Sequence, residues 1–424
     1  MADIPQSLEA IQKKITGERL TYKEIFAIMD DISHNRLGDI LTTYFSAAGY
    51  SQGFSNEELY FLTKAMIDTG ERLQFPGIVA DKHSVGGVPG TRTTLILVPI
   101  IAAAGFTIPK SSSRAITTPG GTGDDMEVLA PVTFTKEQIY DIVNKVHACI
   151  VWGGGVDIAP ADDELIKVEQ PLLLESFDKI LVSIMAKKVA FGATHVVIDL
   201  PYGKYVKVHT EPDALLVKRK FEFLARRFGL KIDVLVHRVI EPAGRGLGPL
   251  LETRDALCVL EQRTDRPVDL ENHAIMLAGH LLDLCQKDTS FAEQKRILGE
   301  FGTGKQWAQA LLKSGAALKK MKEIIQAQGG NSAIISKDLV PGKYFYTLEA
   351  NERGGIQKIN SRNASLVAKV LGAPTQKKSG IYLHKKIGES VRGNEPILTL
   401  YSETAYHLKE GRDTLENFPV VTVA

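Results

Sequence analysis

The chain has 424 residues, 44% of them hydrophobic and 24% charged, and its formal net charge is +1. This length predicts two or three domains, and the near-zero charge argues against a nucleic-acid-binding protein that relies on a basic surface. Three scattered cysteines exclude a disulfide framework and a cysteine-rich metal site. With no signal-peptide pattern and no apolar run of membrane-spanning length, we expect a cytoplasmic protein that binds neither nucleic acid nor membrane.

Residues 5–72 show helical spacing throughout. Thr21-x-x-Glu24 and Ser55-x-x-Glu58 have the pattern of capping boxes, in which side-chain and backbone groups satisfy each other at a helix start. From residue 74 onward, short apolar runs alternate with helical segments, which is typical of an α/β sheet. Thr135-x-x-Gln138 caps one of these later helices in the same way. The first apolar run, at residues 78–80, leads into a glycine-rich loop.

This loop and a second one, about thirty residues later, have the composition of anion-binding loops. Glycines let backbone N–H groups approach an oxyanion closely. Lys82 and Arg114 supply positive charge, and short hydroxyl donors accompany them: Ser84, Thr94, Ser112, Ser113 and Thr122. Neither loop is a Walker A or a dinucleotide-binding motif. Together the loops indicate one large anion or two separate phosphates; ordinary Gly/Ser loops are the alternative.

The later part of the chain completes a pattern of interleaved domains. Residues 158–192 are helical again, with Ser183 and Lys187 on the same side of one helix. The α/β pattern resumes at the apolar strand 194–200, and residues 331–424 are rich in strands. The predicted fold class is therefore a multidomain α/β protein, with a split all-α domain (1–72, 158–192), a mixed-sheet α/β domain (73–157, 193–330) and a small C-terminal α+β domain (331–424).

Five segments also resemble, in order, blocks of the thymidine/pyrimidine nucleoside phosphorylase family. They are DKHSVGG (81–87), PKSSSRAITTPGGTGDDMEVL (109–129), ILVSIMAKK (180–188), EPAGRGLGPLLETRDA (241–256) and GIYLHKKIGESVRGNEP (380–396). The resemblance covers nearly the whole chain and looks closest to the branch that includes the archaeal AMP phosphorylases. It implies cleavage of an N-glycosidic bond by inorganic phosphate as co-substrate, with no cofactor and no metal, in a homodimer.

The resemblance also implies roles for individual residues. His83 would lie over the base or sugar, Ser183 would hydrogen-bond the base, and Lys187 would belong to the catalytic group. The attacking phosphate would be held by Lys82, Ser84, Thr94, Ser112 and Thr122. In the AMP phosphorylase branch, the positions that bind the nucleotide correspond to Gly87, Ser113, Arg114, Ala115, Ile116, Thr117, Thr118, Thr122, Ser183 and Lys207.

Two positions bear on the substrate. Pyrimidine-specific members carry an arginine where this chain has Val168, and loss of such a charged partner weakens binding by about ten- to a hundredfold. The AMP phosphorylase branch has an aspartate as proton donor to the leaving base, at the position held here by Glu175. A carboxylic acid there suits the departure of a purine.

We therefore expect phosphorolysis of a nucleoside 5′-monophosphate to free base and ribose 1,5-bisphosphate. The alternatives are a thymidine/pyrimidine nucleoside phosphorylase, a phosphoribosyltransferase with a metal site at Asp124 and Asp125, and a catalytically silent nucleotide-binding protein. Members of this branch usually have an extra N-terminal domain ahead of the helical one, so we do not expect the large assemblies that depend on it.

Overall fold

The computed structural model describes residues 4–156, 158–169, 171–172 and 176–424. The α-helices are Ile4–Ile15 (α1), Tyr22–Ser33 (α2), Gly38–Gln52 (α3), Asn56–Asp68 (α4), Thr94–Ala103 (α5), Thr122–Met126 (α6), Lys136–Val146 (α7), Pro160–Glu169 (α8), Phe177–Ala190 (α9), Glu211–Phe228 (α10), Pro249–Leu260 (α11), Val268–Gln286 (α12), Phe291–Phe301 (α13), Gly304–Lys313 (α14), Ala316–Ala327 (α15), Ser361–Val370 (α16) and Ala405–Asn417 (α17). The strands are Ala80–Ser84 (β1), Ile108–Ser112 (β2), Ala148–Trp152 (β3), His195–Tyr202 (β4), Lys231–Arg238 (β5), Gly246–Leu247 (β6), Tyr344–Glu349 (β7), Gly354–Ile359 (β8), Gly380–Leu383 (β9), Ser390–Val391 (β10), Pro396–Ser402 (β11) and Val421–Val423 (β12). Short 3-10 helices span Gly153–Gly155 and Ser336–Asp338.

The helices before β1 pack with α8 and α9 into one apolar core, although β1–β3 and α5–α7 separate them in sequence. The predicted capping boxes at Thr21 and Ser55 are both present. The buried ammonium of Lys14 lies 2.9 Å from Glu58, whose other oxygen closes the second box. This ion pair joins α1 to α4, because neither charge can be left unpaired in the interior.

The α/β part contains two parallel ladders, β1-β4-β5 and β2-β3. A parallel bridge between Val79 and Thr107 connects them just before β1 and β2. All pairings within these two ladders are parallel. Strand β6, which also lies in the predicted α/β domain, pairs antiparallel with β9, and antiparallel pairs join the strands of the C-terminal part. The carboxyl ends of parallel strands lie at the same edge of a sheet. The residues that follow β1, β2, β4 and β5 therefore lie together at that edge.

Helix α5 is buried along its length and forms the centre of the second core. Every residue from Thr94 to Ala102 is buried, and the helix contacts α12 and α15. A helix that is apolar all round belongs in the interior. Its first turn therefore holds Thr94 at a fixed place beside the end of β1.

The C-terminal part has its own small core. Strands β6-β9-β11-β7 form one sheet and β10-β8-β12 another, with α16 and α17 packed beside them. The fold class predicted from the sequence is confirmed, while the domain boundaries stay predictions. In the described residues, we find no helix long and apolar enough to cross a membrane.

Candidate active site

The carboxyl ends of β1, β2, β4 and β5 open into a cavity of about 1080 Å³. Every predicted site residue that the structure describes lines this cavity: Lys82, His83, Ser84, Gly87, Thr94, Ser112, Ser113, Arg114, Ala115, Ile116, Thr117, Thr118, Thr122, Ser183, Lys187 and Lys207. The predicted proton donor, Glu175, lies outside the described residues. The structure thus brings the predicted set together, and the role of each residue stays a prediction.

Lys82 is the centre of a hydroxyl-rich group at the end of β1. Its Nζ donates hydrogen bonds to Ser84 Oγ at 2.5 Å and Thr93 Oγ1 at 2.8 Å. A third bond reaches Thr94 Oγ1 at 3.3 Å. Burial lowers the pKa of Lys82 to about 8, although the charge of Asp199 opposes this shift. Its three hydrogen-bond partners are neutral hydroxyl groups, so below about pH 8 the ammonium can offer a positive charge to an anion, which suits a phosphate site.

The second loop is folded tightly onto the start of α6. Ser112 Oγ donates to the Val151 carbonyl at 2.8 Å, which leaves the hydroxyl oxygen free to accept. A Cβ on Gly121 would lie 2.5 Å from the carbonyl carbon of Arg114, so only glycine fits there. This close approach places Thr122, the first residue of α6, beside the loop of Ser112 and Ser113.

The guanidinium of Arg114 is already paired with carboxylates. It donates two bonds to Glu127, at 2.7 and 2.8 Å, and lies 3.3 Å from Asp124. These contacts, above all the bonds to Glu127, raise its pKa further. The side-chain charge on which the sequence prediction relied is therefore largely balanced. Two donors of this loop are also used within the protein: the Ala115 N–H donates to Asp124 Oδ2 at 2.7 Å, and the Thr118 hydroxyl donates to the Gly120 carbonyl at 2.8 Å. Residues 113–118 all line the cavity.

Gly87 lets two predicted nucleotide-binding loops touch. Its φ is +88°, and an added Cβ would lie 3.0 Å from the backbone nitrogen of Lys207. A side chain at this position would therefore be strained and would also push the loops apart. The contact brings Lys207 to the same wall of the cavity as the end of β1.

Ser183 and Lys187 share a carboxylate that sequence reasoning missed. Ser183 Oγ donates to Asp162 Oδ2 at 2.7 Å, and Lys187 Nζ lies 2.7 Å from the same oxygen. Asp162 is buried in the first turn of α8. Although burial opposes it, Asp162 raises the pKa of Lys187. No motif pointed to Asp162, because its partners are one helix away in the chain.

Two buried lysines, Lys110 and Lys188, lie close enough to His83 for their charges to affect it. Lys188 Nζ lies 2.6 Å from Asp81, and Lys110 Nζ lies 3.7 Å from the same carboxylate. Burial, then the nearby charges of Lys188 and Lys110, hold the pKa of His83 well below its usual range. With its pKa lowered in this way, His83 is neutral at physiological pH, and its role at the site stays a prediction.

Two further groups at the cavity also had no sequence signal. Asp199, His237 and His273 come from β4, β5 and α12, and Asp199 accepts a hydrogen bond from Ser84 at 2.6 Å. Helix α16 of the C-terminal part contributes Lys369, whose Nζ donates to the Ile116 carbonyl at 2.7 Å. Such contacts across domains depend on the tertiary arrangement, so spacing along the chain does not reveal them.

The carboxylates considered for a metal–pyrophosphate site are occupied by cations of the protein. Asp125 Oδ2 lies 2.5 Å from Arg92 Nε, which is also 2.6 Å from Glu252. Asp124 lies 3.0 Å from Lys377. Because both aspartates are buried and ion-paired, they are not arranged as open metal ligands.

The chain is similar to known families over most of its length. Models of the glycosyl transferase family match residues 8–70, for its helical bundle domain, and residues 76–318, for its a/b domain. The model of the pyrimidine nucleoside phosphorylase C-terminal domain matches residues 355–417. A crystal structure of anthranilate phosphoribosyltransferase from Thermus thermophilus shares the fold, with a TM-score of 0.57 and 18% identity over 75% of this chain and 99% of that one.

Named relatives match at still greater length. The AMP phosphorylase of Thermofilum pendens is 41% identical, over 99% of this chain and 79% of the relative. A protein named "Putative thymidine phosphorylase" from Legionella pneumophila (strain Paris) is 42% identical, over 97% of this chain and 77% of the relative. The AMP phosphorylase 1 of Archaeoglobus fulgidus is 40% identical, over 95% and 78%. On these matches, the chain belongs to the thymidine/pyrimidine nucleoside phosphorylase family, within the glycosyl transferase family of its helical bundle and a/b domains.

Proposed function

We propose that this enzyme cleaves a nucleoside 5′-monophosphate, AMP or a related nucleotide, with inorganic phosphate to give the free base and ribose 1,5-bisphosphate. The observation that carries the proposal is the presence of two donor-rich groups on one cavity. Lys82 with its hydroxyl partners suits the attacking phosphate, and the loop 113–118 with Lys207 suits the 5′-phosphate. Relatives named AMP phosphorylase support this choice of substrate.

The chemistry follows from these positions. Cleavage of the glycosidic bond develops positive charge on the sugar, and a phosphate held beside C1′ both stabilises that charge and attacks the carbon. Ser183 and Lys187, fixed by Asp162, would orient the base, and Glu175 would protonate the leaving base. The cytoplasmic location and the homodimer belong to the same proposal; light scattering of the purified protein tests the dimer.

A thymidine or pyrimidine nucleoside phosphorylase is the second candidate, supported by the relatives with that name. Against this candidate, the chain lacks the arginine with which pyrimidine-specific members contact the base, because position 168 is a buried valine. Nearby, Glu169 and Lys179 line the cavity as an ion pair. A charged pair at that place can hydrogen-bond a base in a different pattern from a single arginine.

The deciding experiment is base release in phosphate buffer from AMP, CMP, UMP, GMP, uridine and thymidine. We expect turnover of a monophosphate while the matching nucleoside is inert. Lys207→Met should reduce turnover of the monophosphate at least tenfold, whereas Lys204→Met, at an exposed lysine three residues earlier, should not. Turnover of thymidine or uridine instead would establish the second candidate. Binding without turnover would establish a silent nucleotide-binding protein.

A further inference from the structure

Three side chains of metal-ligating type converge beside the Lys82 group. Oδ1 of Asp199 lies 2.7 Å from Nε2 of His237 and 3.3 Å from Nε2 of His273. The three ligand atoms all lie within 4.8 Å of one another, and no other such group occurs in the described part of the chain. All three residues line the cavity. The cluster joins two strand ends to a helix that comes from another part of the chain.

The contact between His273 and Asp199 is better explained by a metal ion bound to both residues than by a hydrogen bond between them. Nε2 of His273 is buried and has no hydrogen-bond partner, and a buried polar atom in this state is unfavourable. Zinc bonds of about 2.0–2.2 Å place two ligands of a tetrahedral ion about 3.3–3.6 Å apart. The separation between His273 and Asp199 matches that distance. His237 lies 2.7 Å from Asp199 and would have to move away by about 0.6–0.9 Å, a small side-chain rotation, to reach this separation.

The surroundings of Asp199 also favour a cation. Its second oxygen, Oδ2, accepts the hydroxyl hydrogen of Ser84 at 2.6 Å, so the carboxylate is held in place as metal ligands usually are. A buried carboxylate next to a phosphate site would repel the phosphate. A divalent ion bound between the carboxylate and two neutral imidazoles would reverse the local charge and attract it.

We propose that Asp199, His237 and His273 bind a divalent first-row transition-metal ion of the zinc type. Two imidazole nitrogens select this class over magnesium and calcium, which take oxygen ligands. Three protein ligands would leave a fourth position open, as in catalytic zinc sites, and all three residues line the cavity. This site goes beyond the phosphorylase function and departs from the expectation that the protein holds no metal.

The test measures metal binding directly. The protein is freed of metal by a chelator and dialysed, and then titrated with Co²⁺, followed by its visible absorption, and with Zn²⁺ by equilibrium dialysis. We expect one ion per chain, and a Kd at least tenfold higher in both His237→Ala and His273→Ala. His280→Ala is the matched control, because His280 lies on the same helix α12 but is partly exposed and paired with Asp233 at 2.8 Å.

Circular dichroism establishes that each variant is folded, and His273→Gln provides a milder change if the alanine variant is not. The control variant should bind metal like the wild type. Failure of the wild type to bind Co²⁺ and Zn²⁺ at one ion per chain would overturn the proposal, as would equal affinity in folded variants at positions 237 and 273. Because the readout is metal binding rather than activity, the result is independent of the proposed reaction.

Discussion

Lys187 Nζ lies 2.7 Å from Oδ2 of Asp162, and this ion pair holds the end of the cavity where the base is proposed to bind. The same oxygen accepts the hydroxyl of Ser183, so one buried carboxylate fixes two residues of a family motif. The motif therefore depends on a residue outside it.

Asp162→Asn should lower kcat/KM for the nucleotide by about ten- to a hundredfold, the effect of losing a hydrogen-bonded charge. The amide would still bond Ser183 but would leave the partly buried ammonium of Lys187 without its counter-charge. Steady-state kinetics with varied nucleotide measure this. Glu164→Gln, on the same helix but paired with Lys167 near the surface, is the control. Equal kcat/KM in the two variants would contradict the role of Asp162.

The rate should depend on pH through Lys82. Burial lowers its pKa to about 8, so the ammonium is charged below this pH and loses its charge above it. Because kcat/KM for phosphate reports the free enzyme, it should fall about tenfold per unit above about pH 8. At saturating phosphate, the bound anion stabilises the ammonium, so the decline should move to higher pH. A kcat/KM for phosphate that stays level through about pH 10 would refute this assignment.

Helix α16 should support nucleotide binding from the C-terminal part. Lys369 donates to the Ile116 carbonyl at 2.7 Å, within the loop proposed to hold the 5′-phosphate. Lys369→Ala should raise the KM for the nucleotide about threefold to tenfold, as expected for one hydrogen bond to a charged group, and leave the KM for phosphate unchanged. Lys409→Ala, at an exposed position on α17, controls for charge. An equal rise in both KM values would instead indicate a general loss of structure.

Arg92 should be important for stability. It pairs with Asp125 and Glu252 in the interior, and its removal would leave two buried carboxylates, at a cost of about 3–5 kcal/mol. Arg92→Met should therefore lower the midpoint of thermal unfolding, whereas Arg296→Met, at the surface, should not.

The stability deficit of Arg92→Met should also depend on pH. Burial raises the pKa of Asp125 and Glu252, and Arg92 opposes both shifts. Without Arg92, the folded protein would bind protons that the unfolded chain releases, so the folded form gains stability as pH falls. We expect a smaller deficit at about pH 5 than at about pH 7. A deficit that grows toward acid pH would contradict this explanation.

Sequence patterns were sufficient where the physical cause is local. The capping boxes at Thr21, Ser55 and Thr135 are present as predicted, because each depends on groups three residues apart. Glycines and hydroxyls near strand ends also singled out the loops after β1 and β2. Both loops line the cavity, and anion binding by them stays a prediction. These patterns, with the family resemblance, determined the fold class and the set of residues around the cavity.

The tertiary structure decided which charges around the cavity remain available to a substrate. Arg114 looked like a cation for the substrate, but Glu127 and Asp124 balance its charge. Asp162 contacts Ser183 from another helix, and Asp199 contacts Ser84 of the Lys82 group from the neighbouring strand β4. A pattern in the chain records which groups are present, whereas the energy of a charge depends on its burial and on partners distant in sequence. Residue types, spacing and the family resemblance therefore predicted which residues line the cavity, and packing determined its electrostatics.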